Sequence, residues 1–177
     1  PHFGLLVEPL DALDLTFTLH SPQKMEINTG FGIYLPNGDS QYADRPATHA
    51  WLPWTAGLGV SYEFFKNARD TWALTASTTF ERWSQYLNRQ TERPLKDYEF
   101  ADIFSGSAGV RYTRDEQLST YIDMSYHPTP VPLQTGRTNY VDNDRYGLLG
   151  GVQYDLPVEA WNVAFRFGAQ AQFQLLP

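Results

Sequence analysis

Residues 161–175, WNVAFRFGAQAQFQL, alternate without a break. Trp161, Val163, Phe165, Phe167, Ala169, Ala171, Phe173 and Leu175 are apolar, and between them stand Asn162, Ala164, Arg166, Gly168, Gln170, Gln172 and Gln174. A period of two sends side chains to opposite faces of a β-strand, so one face is aromatic and aliphatic and the other rich in amides. Strands of globular proteins usually run about 5–6 residues, and this one runs more than twice as far. Such a strand fits a wall with water on one side and something oily on the other.

The same pattern recurs in FGLLV from Phe3, LDLTFTL from Leu13, TAGLGVSYEF from Thr55, TWALTASTTF from Thr71, FSGSAGVRY from Phe104, LSTYIDMSY from Leu118 and YGLLGGVQY from Tyr146. These segments predict about eight strands and no helix. Their apolar faces carry no charge, while the opposite faces carry Asp14, Glu63, Arg111, Asp123 and Arg166. A charge facing lipid at mid-membrane costs about 2–4 kcal/mol, so the segregation suits a transmembrane barrel. Trp54, Trp72, Trp83, Tyr112, Tyr126, Tyr154 and Trp161 gather near predicted strand ends, where an interfacial girdle belongs. The mean hydropathy of −0.43 and the lack of any apolar run near the roughly 20 residues of a membrane helix exclude helical spans, not strand-built ones. A net charge of −7 argues against nucleic acid as a partner, and the absence of cysteine excludes disulfides and thiolate chemistry.

The connections divide into two kinds. EPLDA, FKNARD, TRDEQ and DLPVEA are short and polar or proline-bearing, and read as hairpin turns. Between the hairpins lie three long segments, read as loops: His20 to Trp54, Ser84 to Ala101 and His127 to Arg145. Loops beyond about 12–15 residues are uncommon in compact domains. Outer-membrane barrels supply a reason for three, with short periplasmic turns and long extracellular loops. The expected fold is therefore all-β: a transmembrane, antiparallel, up-and-down β-barrel, with residues 1–177 forming a single barrel segment. A soluble sandwich or lipid-binding barrel would also alternate, but it would fill its outer face with Lys and Glu; here the polar face is mostly Ser, Thr, Gly and Gln. By parity both ends of the segment fall on the long-loop side, so further strands are expected at each end.

The stretch YHPTPVPLQTGRTNYVDNDRYGLLGGVQYDL, 126–156, resembles the FadL/TodX/OmpP1 family of outer-membrane transporters for hydrophobic compounds. The matching positions are Tyr126, Pro130, Val131, Pro132, Thr138, Asp142, Asn143, Asp144, Arg145, Gly150 and Gly151. LPWTAGLGVSYEF, TFERWSQY and EPLDALDLTFTLHSP resemble the strands before it. The resemblance implies a fourteen-stranded barrel of a Gram-negative outer membrane, closed by an N-terminal hatch and passing long-chain fatty acids or other hydrophobic compounds. About eight of the strands, roughly the sixth to the thirteenth, would lie here, with the hatch and terminal strands outside this chain. The partners implied are hydrophobic small molecules, fatty acids among them, and outer-membrane lipid. A structural or docking role of the long loops in an envelope assembly, with protein partners, is the alternative.

Candidate ligand-binding residues follow from parity. Arg111 and Arg166 point to the polar side, and guanidinium matches carboxylate in bidentate geometry; an ion pair with Asp14, Asp123 or Glu63 would instead make them wall structure. Tyr121 and Leu149 are larger groups on the same side, able to line a path or to fill space. Asp142, Asn143 and Asp144 offer hard oxygens to Ca²⁺, but Tyr146 occupies the third ligand position of the loop pattern, and such side chains commonly close turns. His2, His20, His49 and His127 are dispersed along the chain, so no metal or other cofactor is expected. Ser125 and His127 share a strand end, yet the spacing alone is too common to imply a nucleophile and its base, and no enzymatic activity is expected.

Overall fold

The computed structural model describes residues 1–36, 38, 40–88, 90–94, 99–132, 143–158 and 163–176. Ten strands account for most of them: β1 His2–Leu10, β2 Leu13–His20, β3 Gln23–Tyr34, β4 Ser40–Leu52, β5 Trp54–Lys66, β6 Asp70–Arg82, β7 Ile103–Arg114, β8 Leu118–His127, β9 Arg145–Val158 and β10 Val163–Leu175. The helical content among the described residues is one 3₁₀ turn, Trp83–Gln85. Eight strands form one antiparallel sheet in the order β1-β2-β5-β6-β7-β8-β9-β10, so each of the eight alternating segments became a strand beside its sequence neighbour.

One expectation fails. The segment from His20 to Trp54 is not a loop: it holds β3 and β4, which pair with each other as a separate two-stranded sheet. Met25, Ile27, Phe31 and Ile33 alternate along β3, and a Pro-Asn-Gly-Asp turn sequence joins it to β4. Gly38, among the five residues between Tyr34 and Ser40, has a φ of +89°, in the left-handed region that glycine enters without steric cost. Pro46 is tolerated in β4 because that strand pairs only with β3 and keeps a free edge.

The register shows that parity holds through the middle of the sheet from β2 to β10, with shifts only near the short turns, between Val7 and Leu10 and between Glu63 and Phe65. Asp14 pairs with Ser61, Ser61 with Thr75, Thr75 with Gly109, Gly109 with Asp123, Asp123 with Leu149, and Leu149 with Gln172. A second row on the same face runs Glu63, Ala73, Arg111, Tyr121, Gly151 and Gln170. On the other face the row Leu15, Val60, Ala76, Ala108, Met124, Leu148 and Phe173 is apolar throughout. A slip of one residue anywhere would mix the two sets, and none occurs between these rows.

The apolar face has no cover. Phe173 is 70 % exposed, Met124 and Phe104 66 %, and Ile122 51 %. The Phe165 face, expected to look away from any core, is exposed in the same way, with Phe165 at 47 %. By contrast Ser61, Thr75, Ser119, Tyr121, Asp123 and Gln153 on the polar face are half-buried. The inside-out sense of a water-soluble sheet is thus reversed. The buried apolar side chains among the described residues, Phe100 and Ile103, lie at one end.

That end gathers the long connections. Trp51 at the close of β4 packs on Trp83 and Tyr86, with ring centroids 5.7 Å apart in both pairs. Phe100 stacks on Trp83 at 6.1 Å and lies 4.3 Å from Tyr86. The Ala101 amide donates to the Pro130 carbonyl at 2.8 Å, tying the β6–β7 connection to the β8–β9 connection. The tight turns after β1, β5 and β7 lie at the opposite end, where the Asp115 amide donates to the Arg69 carbonyl. Short turns on one side and long connections on the other follow from the up-and-down order.

Candidate functional site

The polar face presents hydroxyls and amides that bond across strands. Ser77 and Ser107 hydroxyls are 2.8 Å apart, Thr113 and Ser119 hydroxyls 3.2 Å. Two longer side chains reach over an intervening glycine. Asp123 on β8 lies across Gly109 of β7 and accepts from Thr75 Oγ1 of β6 at 3.4 Å. Tyr121, also on β8, lies across Gly151 of β9, and its hydroxyl donates to Gln170 Oε1 of β10 at 3.1 Å. A Cβ built on Gly151 would come within 2.5 Å of the Tyr121 ring, so glycine there is what lets the ring lie down on the wall.

The two candidate arginines part company. Arg166 Nε donates to Asp155 Oδ1 at 2.7 Å and Nη2 to Oδ2 at 3.1 Å, a bidentate pair between register partners on β10 and β9. It is an ion pair, as the structural alternative required, but with Asp155 rather than Asp14, Asp123 or Glu63. Glu63 is held instead by Lys66, at 2.9 Å. Arg111 stands exposed on the polar face, register partner of both Ala73 and Tyr121, and among the described residues no carboxylate comes within ion-pair distance of it.

The residues of the Pro-Val-Pro and Asp-Asn-Asp-Arg stretches form a brace at the long-connection end. Asp144 accepts from the Thr129 amide at 2.9 Å and from the Tyr126 hydroxyl at 2.9 Å. The Val131 amide donates to Thr129 Oγ1 at 3.1 Å, and Pro130 is buried. Pro132 is half-buried beside them, Asn143 is exposed, and Arg145 opens β9 opposite His127. Asp142 and Thr138 lie outside the described residues, as does Trp161. Tyr146, which rules out the calcium pattern in sequence, packs on Tyr126 at 4.9 Å with the rings tilted.

The Thr129 amide, and secondly the Tyr126 hydroxyl, hold the Asp144 carboxyl below the usual carboxylate range. A depressed folded-state pKa adds stability above the unfolded value and loses it as pH falls through the folded one. The brace is therefore expected to hold at neutral pH and to loosen below about pH 4. Hydrogen exchange at the Thr129 amide checks this: intrinsic-rate-corrected protection should drop between pH 5 and pH 3 in the wild type, both as rough bounds, and already be low at neutral pH in Asp144→Ala. Protection independent of pH in the wild type would show that the carboxylate does not hold the brace.

The histidines come closer than their spacing suggested. His2 and His20 are register partners whose rings stack at 5.9 Å, and His127 Nδ1 is 3.8 Å from Glu81 Oε1. Glu81 also accepts from Trp83 Nε1 at 2.8 Å. No group of three metal-ligating side chains occurs among the described residues. His127 thus faces Glu81, and no Ser125–His127 hydrogen bond is found among the described residues.

Aromatic pairs mark both ends of the exposed apolar face. Trp72 and Tyr112 pack at 4.7 Å near the short turns, and Phe80 and Phe104 at 4.9 Å near the long connections. Trp72 and Phe80 are eight positions apart on β6, roughly 27 Å along a strand and roughly 21 Å after a tilt of about 40°. With the rings themselves added, that approaches the apolar band of about 25 Å of an outer-membrane barrel.

An antiparallel up-and-down sheet with an apolar exposed face, a polar bonded face and aromatic borders is the wall of a β-barrel. Among solved structures, the chain resembles a Pseudomonas aeruginosa FadL homologue with a TM-score of 0.73 and 19 % identity, over 99 % of this chain and 44 % of that one. It also resembles the CymD monoaromatic hydrocarbon channel, with a TM-score of 0.55 and 13 % identity over 98 % of this chain and 46 % of that one. The chain spans less than half the length of either structure. No family model matches the sequence, and no curated protein does. The resemblance read from the sequence is upheld at the level of the fold: this is the architecture of part of a FadL-type barrel wall.

Proposed function

We infer that the chain is part of a Gram-negative outer-membrane β-barrel that passes hydrophobic and amphipathic small molecules, with its apolar face in lipid and its polar face toward the lumen. The observation that carries this reading is the reversed sidedness of the sheet, with large apolar side chains exposed on one face and a hydrogen-bonded polar lining on the other. The fold of the two neighbouring structures, a FadL homologue and a hydrocarbon channel, supports the same class of cargo. Long-chain fatty acids are one such cargo, with the carboxylate on Arg111; Arg166 serves the wall through Asp155. No catalytic step is assigned to the chain. The Asp144 brace and the aromatic cluster of the long connections shape the loop-side mouth.

Cysteine scanning tests the sidedness, since residues 1–177 hold no cysteine of their own and any cysteine elsewhere in the full-length protein is first replaced by serine. In membranes containing the full-length protein, Ser107→Cys on the polar face is expected to react with a membrane-impermeant maleimide at least about tenfold faster than Met124→Cys, since a thiol in hydrocarbon neither ionises nor meets the reagent. A nitroxide at position 124 should relax with oxygen and ignore a water-soluble nickel chelate. Equal labelling at both positions, or the reverse order, would sink the membrane reading.

A further inference from the structure

The wall around Arg111 has a second feature that a simple cationic headgroup site does not need. Tyr121, its direct register partner on β8, reaches across Gly151 and is held at its far end by Gln170. The outer end of the ring packs against the sheet at Gly151, and the tether to Gln170 holds it there. Cross-strand partners have Cβ atoms about 4.5–5.5 Å apart, so the Arg111 side chain leaves the wall beside the root of the Tyr121 side chain. Near Gly168, a space of about 210 Å³ is lined by Tyr121, Val152, Gln153, Gly168, Ala169 and Gln170.

We propose that Arg111 and Tyr121 form a seat for small aromatic carboxylates, the carboxylate on the guanidinium and the ring stacked on Tyr121. This names the ligand class that the proposed lumen selects, and it rests on the reading that the polar face lines that lumen. Arg111 has no carboxylate partner among the described residues, so a bidentate acid meets an available cation. The Tyr121 ring supplies an apolar plane in a wall whose other longer side chains, Leu149 apart, are mostly hydroxyl, amide and charged groups. A flat ligand ring covers that plane with one face in the offset-stacked arrangement that aromatic pairs favour. An alkyl tail has no comparable strip on this wall, because Ala73 and Leu149 are separated from each other by polar positions. The open space at Gly168 leaves room for a substituent opposite the carboxylate.

The test is equilibrium binding of benzoate, octanoate and neutral benzamide to the full-length protein purified in detergent. Benzoate is expected to bind more tightly than either of the others. Arg111→Ala should weaken benzoate about tenfold or more, and octanoate with it. Tyr121→Ala should weaken benzoate by about 2- to 10-fold and leave octanoate within twofold. Gly151→Ala, which keeps the tyrosine but pushes its ring off the wall, should act on benzoate as Tyr121→Ala does; it serves if the alanine variant does not fold, as judged by heat-modified gel mobility. Octanoate binding as tightly as benzoate, or benzoate unchanged in both platform variants, would overturn the aromatic seat. If Arg111→Ala alone weakened both acids, the lumen reading would stand without the seat. No measurable benzoate binding by the wild type also overturns it, and the maleimide experiment then decides the lumen reading separately.

Discussion

Ile122→Arg is expected to lower the stability of the assembled protein by about 2–4 kcal/mol, and Gln172→Arg to change it by less than about 0.5 kcal/mol. Ile122 sits in the middle of β8, between Val110 and Gly150 in its row. Along its own face the nearest aromatic borders are Tyr126 toward the long connections and Tyr112, on β7, toward the turns. It is half exposed. In water, exchanging an exposed isoleucine for arginine is close to neutral. In hydrocarbon the guanidinium must be dehydrated or drag water and headgroups inward, and that is the origin of the cost. Gln172 lies on the opposite face, in the row of Asp123 and Leu149, where a cation meets water and a nearby acid. Urea titration of protein folded into lipid vesicles reads the difference as a shift in midpoint at constant slope. Equal midpoints for the two variants would place the Ile122 face in water and end the outer-membrane assignment.

Sequence legibility followed the strength of local periodicity. The eight sheet strands were visible because each buries or bares a whole face, and a period of two sustained over ten residues fits little besides a strand. Even the row of Asp14, Asp123 and Gln172 was implied, since parity fixes the face once strands are antiparallel neighbours. The β3–β4 hairpin was partly legible. Met25, Ile27, Phe31 and Ile33 alternate, and Asn37-Gly38 is a strong short-range hairpin signal. The long spacing before Trp54 outweighed them, and β4 carries Asp44, Arg45 and Pro46 in succession, with no alternation to see.

At the candidate site, what stayed hidden was which partner each inward group chooses. Arg166 pairs with Asp155 because a hairpin register sets them opposite each other, and that register depends on a turn whose geometry a sequence does not state. The posture of Tyr121 depends on a glycine on the neighbouring strand and an amide two strands away. Both are non-local, so no window along the chain contains them. The brace at Asp144 was legible in kind, since Asp beside Asn closes turns, but its two donors, Thr129 and Tyr126, come from the far side of the connection.

Phe100→Ala is expected to open the loop-side cluster without melting the sheet. Phe100 is 7 % exposed and Ile103 beside it 4 %, the buried apolar side chains among the described residues. Removing a buried Phe side chain costs about 3–5 kcal/mol where the cavity cannot collapse. Here Trp83 and Tyr86 lose their shared partner, while the polar ties from Ser84 to Asp102 and from Ala101 to Pro130 remain, so the lower figure is the better guide. The strands are held by their own ladders and by whatever surrounds the apolar face, so the loss falls on a local equilibrium rather than the global one. A local loss of about 3 kcal/mol raises the open population roughly 100-fold, and proteolysis of the connections tracks that population when reclosing outruns cleavage. The expected result is cleavage between residues 83 and 102 faster by about that factor, with the urea midpoint of the sheet unchanged. Cleavage at the wild-type rate would mean that the β3–β4 contact through Trp51 holds the cluster closed on its own. A lowered midpoint would mean instead that the cap and the sheet unfold as one unit, and that the long connections stabilise the wall they stand on.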